Sequence, residues 1–175
     1  LQGHPHYGSL PGVETTSGPL GSGISQGIGM ALALRADNRK NRVFVLTSDG
    51  EHEEGNTWEA IMSAPKFKLT NLTVLVDRNY IQIDGKTEDI MPLNPLKDKY
   101  EAFNWDVEEI NGNDINAVIK ACGKKNKKPR AIICNTTPGK GVSFIENKYE
   151  WHGKPPKPEE AEKALKELIS SRRKI

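Results

Sequence analysis

Asp49 and Asn79 stand thirty residues apart, each just past an apolar run, and both end in side-chain oxygens. An acid, an amide oxygen and a nearby backbone carbonyl make an oxygen-only donor set that suits Mg2+ or Ca2+. Mg2+ commonly shares its shell with phosphate oxygens, so such a pair points to a phosphorylated cofactor. A plainer account fits the same residues. Asp49-Gly50 and Arg78-Asn79 are turn-forming pairs, and a turn needs no ligand. Spacing alone leaves both accounts open.

For the first account to hold, strands must carry both residues. "RVFVLTS" (42–48) and "NLTVLVD" (71–77) are continuous apolar runs. Each is expected to be a parallel strand buried on both faces, the first of them central in its sheet. Adjacent strands would deliver Asp49 and Asn79 to one carboxyl-end rim, where open parallel sheets bind ligands. Between the runs, residues 53–64 read as a helix that Pro65 ends, because proline lacks a donor and disfavours helix before it.

The rest of the chain supplies the frame. Residues 1–23 form a long Gly-, Pro-, Ser- and Thr-rich loop, a feature that is usually functional inside a compact domain. Ile24, Ile28, Ala31, Leu32 and Leu34 recur at helical spacing and predict a helix over 22–37. Residues 103–110 read as a third, more alternating strand, 114–123 as a helix, 130–136 as a fourth strand and about 158–172 as a last helix. That last helix has Glu159 and Glu160 near its start and Arg172 to Lys174 at its end, which matches the helix dipole. Strands alternating with helices predict an α/β fold: a doubly wound, mostly parallel sheet with helices on both faces.

A length of 175 residues suggests one domain, 1–175. A net charge of +2 gives no reason to expect nucleic acid or a membrane as partner. The lysines of "KKNKK" (124–128) fit a solvated helix end. No run approaches the roughly 20 apolar residues that span a bilayer, and no signal peptide is visible. Cys122 and Cys134 lack metal-type spacing and read as buried or free thiols in a reducing compartment, so a cytoplasmic location is expected.

"SDG…DRNYIQIDG" resembles the thiamine-diphosphate motif, in which Gly-Asp-Gly is followed about thirty residues later by Asn. "PGVETTSGPLGSGIS" (11–25), "EGNTWEA" (54–60) and "NYIQIDG" (79–85) are similar to transketolases in particular. The resemblance covers nearly the whole chain and corresponds to the diphosphate-binding domain without its first segment. It implies that Asp49, Asn79 and the carbonyl of Ile81 hold a divalent metal and that Gly50 touches the diphosphate. Gly18 and Leu20, in "GPLG", would meet the aminopyrimidine ring through their backbones. His4 and His152 match family histidines near the cofactor and the sugar substrate, where they could bond or move protons near neutral pH. Glu54 and Glu59 match glutamates at the interface between subunits. His6 and His52 match no family position and read as surface histidines.

The implied reaction transfers a two-carbon ketol unit between sugar phosphates, with thiamine diphosphate and Mg2+ or Ca2+ as cofactors. The carboxylate that activates the cofactor lies in the family's separate pyrimidine-binding domain. The expected partner is therefore a C-terminal transketolase subunit, in a homodimer or heterotetramer. The end "SRRKI" reads as a natural stop and favours a split gene. The sequence departs from the family pattern at Ser48, where the motif has Gly, at Pro65, and in lacking the upstream histidines. A deoxyxylulose-phosphate synthase or dehydrogenase E1 component is the related alternative, against which "GPLGSGIS" and "IQIDG" argue. A non-catalytic cofactor-binding module is the alternative from another class.

Overall fold

The computed structural model describes residues 3–172. After a loop over residues 3–21, helix α1 (Ser22–Ala36) leads into strand β1 (Val43–Ser48). A 3-10 turn over Gly50–Glu53 and helix α2 (Gly55–Lys66) lead to β2 (Leu72–Arg78). Then come a small hairpin of β3 (Ile81–Gln82) and β4 (Gly85–Lys86), short α3 (Thr87–Ile90), α4 (Leu96–Ala102) and β5 (Asp106–Asn111). The chain continues through α5 (Ile115–Gly123), β6 (Arg130–Asn135), a second 3-10 turn over Tyr149–Trp151 and α6 (Pro158–Arg172). The basic end expected for α6 lies mostly outside the described residues.

Strands β1, β2, β6 and β5, in that spatial order, form one parallel sheet. Val43, Val45, Leu72, Val74, Val76, Ala131 and Ile133 project from one face into a core closed by α1, α2 and α4. From the other face Leu75, Ile132, Cys134 and Ile110 pack against Ala121 and Cys122 of α5. The sheet thus carries helices on both faces, as the alternating pattern predicts. Both cysteines are free thiols, Cys134 buried and Cys122 half-buried. No described helix is long and apolar enough to cross a membrane.

Four expectations need correction. Strand β1 is not central: among the described residues it forms one end of the sheet, paired only with β2. Its inward residues are buried, but Phe44 is 46% and Leu46 75% exposed. An apolar run does not reveal which face lacks a covering helix, and α5 packs over β6 rather than β1.

Pro65 does not end its helix, for α2 continues to Lys66. The proline lacks the N–H that would bond the carbonyl of Ile61 one turn earlier. The indole Nε1–H of Trp105 donates to that carbonyl instead, at 2.8 Å. The orphaned acceptor is satisfied from across the core.

Strand β5 begins at Asp106, not at 103. Phe103 and Asn104 end α4, Asn104 turning the chain at φ +66°. Phe103 and Trp105 serve the core, Trp105 meeting Tyr100 edge-to-face with ring centroids 5.2 Å apart. Last, the helix expected over 53–64 is a 3-10 turn followed by α2 from Gly55. Helix α4, α3 and the β3–β4 hairpin carry no period long enough to be read from sequence.

The packing of α1 on β1 bears directly on the site. Its residues Ile24, Ile28 and Ala31 are buried, and Gly27 lies so close to the strand that a Cβ there would sit 2.3 Å from Val45 Cγ2. Close approach holds the start of α1, and the loop before it, beside the carboxyl end of β1.

Candidate functional site at the strand ends

Strands β1 and β2 pair with Ser48 opposite Asp77, so the turns that follow them emerge side by side. The Asp49 amide donates to the Asp77 carbonyl at 3.1 Å. The Asp49 carboxylate is fully buried. Its Oδ1 accepts the Gly50 N–H at 2.8 Å, and its Oδ2 accepts the Tyr80 N–H at 2.7 Å and Arg78 Nη1 at 3.0 Å. Tyr80 sits between Asn79 and Ile81, so Asp49 binds the middle of the segment whose flanks carry the other candidate donors. Asn79 Oδ1 accepts the Ile81 N–H at 3.0 Å. These residues thus form hydrogen-bonded turns, and the turns stand side by side at one end of the sheet.

The arrangement leaves acceptor capacity for a cation. Each carboxylate or amide oxygen offers two lone pairs. Asp49 Oδ2 has two donors, but Asp49 Oδ1 and Asn79 Oδ1 each show one among the described residues. Nearby, Glu53 Oε1 is buried without a hydrogen-bond partner. Burial, then the charges of Asp49 and Glu54, push the Glu53 carboxyl above its ordinary range. Burial also pushes the Asp49 carboxyl up, while the Tyr80 amide, Arg78 and the Gly50 amide pull it back. Among the described residues no three His, Cys, Asp or Glu side chains cluster to hold a metal. A cation at this rim would need the amide and carbonyl oxygens beside Asp49.

Arg78 is a site residue that the sequence reading passes over. It is 1% exposed. Besides Asp49, its guanidinium reaches Thr87 Oγ1 at 3.0 Å, Asn94 Oδ1 at 3.3 Å and the Glu88 carboxylate. It also stacks 4.3 Å from the Tyr80 ring centroid. Burial pushes the Glu88 carboxyl up, but Arg78 and the amides of Leu93 and Asn94 outweigh it and hold the group below its ordinary range. The available signal is a cation at the end of a mostly apolar strand, since a buried charge requires partners.

The sequence reading marks Ser48 only as a departure from the motif and passes over Glu51, although their spacing carries a signature. Ser-x-x-Glu is a capping box. The Glu51 amide donates to Ser48 Oγ at 3.2 Å, and Glu51 Oε2 accepts the Ser48 N–H at 2.9 Å. The serine that replaces the family's glycine thus fastens the turn carrying Asp49. The second oxygen, Glu51 Oε1, accepts the N–H of Gly21 at 3.1 Å. Gly21 is the N-cap of α1 and closes the "GPLG" loop. In that loop Gly18 lies against the His4 ring, and Leu20 is exposed. His4, Gly18, Leu20 and Glu51 line one cavity of about 400 Å³ beside β1.

His52 is not a surface histidine. It is 1% exposed, with Nδ1 2.9 Å from the Ser48 carbonyl and Nε2 2.8 Å from the Tyr100 hydroxyl. Burial lowers its pKa to about 4. A neutral ring with its proton on Nδ1 donates to Ser48 and accepts from Tyr100, which satisfies both nitrogens. The Trp58 indole adds a bond to the His52 carbonyl at 2.8 Å. The turn bearing Asp49 therefore rests on a closed aromatic support. Glu54 and Glu59 are exposed, at the start and on the outer face of α2. His152 is exposed at the end of the second 3-10 turn, which lies against β4. No described contact joins it to Asp49.

An acid, an amide and a glycine-rich loop thus stand at the carboxyl end of a parallel α/β sheet, the class of fold that binds ligands at this edge. The family model "Transketolase, thiamine diphosphate binding domain" matches residues 1–171. The chain is 45% identical over 170 residues to an apulose-4-phosphate transketolase subunit of Actinobacillus succinogenes, covering 96% of this chain and 62% of that one. It is 36% identical to human transketolase over 183 residues, covering all of this chain and 29% of the human one. The transketolase crystal structure from Campylobacter jejuni superposes with a TM-score of 0.82 at 32% identity, covering 88% of this chain and 26% of that one. The chain belongs to the transketolase family, through its thiamine diphosphate binding domain. It spans about three fifths of the Actinobacillus relative and under a third of the human enzyme.

Proposed function

We propose that residues 1–175 act as the diphosphate-binding part of a transketolase, moving a two-carbon ketol unit between sugar phosphates, and that a second chain supplies the pyrimidine-binding domain. The observation that supports this reading is the hydrogen bond from the Tyr80 amide to Asp49 Oδ2, which ties Asp49 to the segment that carries Asn79 and Ile81. The similarity to one subunit of an apulose-4-phosphate transketolase supports the partner chain. The complete assembly is read as a homodimer or heterotetramer in the cytoplasm, with Glu54 and Glu59 at the contact between its chains.

When bound, thiamine diphosphate supplies the nucleophile for ketol transfer. Asp49, Asn79 and the Ile81 carbonyl would hold Mg2+ or Ca2+, whose charge offsets that of the diphosphate. The free lone pairs on Asp49 Oδ1 and Asn79 Oδ1, and the unpartnered Glu53 oxygen nearby, fit a small hard cation. Gly50 leaves the turn open for close approach of the diphosphate. Gly18 and Leu20 would offer backbone groups to the aminopyrimidine. His4, against Gly18, and His152 would bond sugar hydroxyls or phosphate and move protons near neutral pH.

Mixing tests the reading. The isolated chain should give no ketol transfer from xylulose 5-phosphate to ribose 5-phosphate, because the carboxylate that activates the cofactor would come from the pyrimidine-binding domain of the second chain. Adding a pyrimidine-domain chain should give a rate that rises with partner concentration and saturates. Turnover by the chain alone, or none with any partner, sinks this reading.

A further inference from the structure

The two loops at the rim are joined by one side chain. Glu51 Oε2 closes the capping box on the Ser48 amide, at 2.9 Å, and Glu51 Oε1 takes the Gly21 amide, at 3.1 Å. Ser48 precedes Asp49, and Gly21 follows Leu20. A carboxylate between the loops therefore holds both by backbone N–H groups, one thirty residues away in the chain and the other three.

Other contacts keep that clamp in register. The Glu51 carbonyl accepts the Thr57 hydroxyl at 2.6 Å, and Asn56 Nδ2 reaches the Leu20 carbonyl at 3.4 Å. Gly21 has φ +78°, and a Cβ on it would lie 2.0 Å from Asn56 Oδ1. Only glycine permits the conformation that aims the Gly21 N–H at Glu51. The charge also faces the N-terminus of α1, whose dipole favours an anion.

We propose that Glu51 is a positioning residue for thiamine diphosphate: it preassembles the Gly18–Gly21 loop against the Asp49 turn, so that both sides of the cofactor site are set before the cofactor arrives. The inference rests on reading this rim as the cofactor site. Preassembly lowers the ordering cost of binding without adding a contact to the cofactor. Loss of the clamp should therefore appear in cofactor affinity and in loop opening, not in turnover at saturation.

The test compares the full chain with its Glu51→Gln and Ser48→Ala variants. Glutamine keeps the size but turns an N–H toward one of the two backbone donors. Without cofactor, hydrogen exchange should speed up roughly tenfold or more in the peptides containing Gly21 and Ser48 for Glu51→Gln. Ser48→Ala should speed exchange mainly in the peptide containing Glu51. In the assembled enzyme the apparent KM for thiamine diphosphate should rise roughly tenfold for Glu51→Gln, with kcat at saturating cofactor unchanged. Unchanged exchange in Glu51→Gln overturns the clamp. Faster exchange with unchanged KM overturns the positioning role and leaves a purely structural one. If the parent chain binds no thiamine diphosphate, the reading of the rim fails, and exchange alone decides whether Glu51 joins the loops.

Discussion

Arg78 Nη1 lies 3.0 Å from Asp49 Oδ2, and the two side chains are 2% and 0% exposed. The carboxylate at the rim thus has an internal cation, tied in turn to Glu88, Thr87 and Asn94. Breaking a buried pair is costly because the survivor stays buried and uncompensated. Arg78→Met should lower stability by about 3–5 kcal/mol in denaturant titration. Arg78→Lys should cost less, as it keeps the charge but loses the fork that reaches several acceptors. A loss below about 1 kcal/mol for Arg78→Met would show that the surroundings tolerate the lone carboxylate.

His52 predicts the acid limb of stability. Its folded pKa of about 4 lies below the unfolded value of 6.5, because burial disfavours the charged ring. Between those values the unfolded chain binds more protons, so stability rises with pH. The contribution is complete above about pH 6.5 and is lost as pH falls toward 4, by about 3 kcal/mol in all. Chemical denaturation across this window should show that slope in the parent and a flatter one in His52→Gln. Parallel slopes would count against the assignment.

The bond from Trp105 to the Ile61 carbonyl stands in for the donor that Pro65 lacks. Trp105→Phe should strand that carbonyl and cost about 1–3 kcal/mol, besides any loss of packing. Pro65→Ala returns an N–H to the same acceptor. The double variant should therefore be destabilised less than Trp105→Phe alone. Additive or worse losses would mean that the indole contributes only its volume.

Cofactor binding should require a divalent cation and the rim oxygens. In calorimetry on the assembled protein, thiamine diphosphate should bind tenfold or more tightly with Mg2+ than with chelator, a difference of about 1.4 kcal/mol or more. Asp49→Ala and the milder Asn79→Ala should each erase most of that difference. Equal affinities with and without metal would remove the cation from the site.

His152 is exposed, and the hydrogen bond its backbone N–H donates to the Tyr149 carbonyl survives any substitution but proline. His152→Ala should leave the melting temperature within about 1 °C of the parent, as surface changes usually do. It should lower turnover of the complete enzyme. Normal turnover would assign the residue to the surface alone.

Much of this architecture is local and therefore legible. The apolar runs at 42–48 and 71–77, the helical spacing after residue 22 and the turn residues between them determine an α/β pattern with Asp49 and Asn79 each just past a strand; that the two strands are neighbours is settled by their pairing in the sheet. Those features depend on side-chain period and backbone preference, which short stretches carry. Even the capping box of Ser48 and Glu51 was written in four consecutive residues.

Tertiary structure decided what depends on distant neighbours. A run of apolar residues cannot say which face of β1 stays open, and nothing around Pro65 says that an indole forty residues away will supply the missing donor. His52 and Arg78 look like exposed polar residues until the Tyr100 hydroxyl and the Glu88 carboxylate arrive to satisfy them. The second oxygen of Glu51 meets Gly21 only because α1 packs closely on β1 through Gly27. Burial and long-range hydrogen bonding belong to the folded chain, and they set which groups at the rim are paired and which oxygens are left for a ligand.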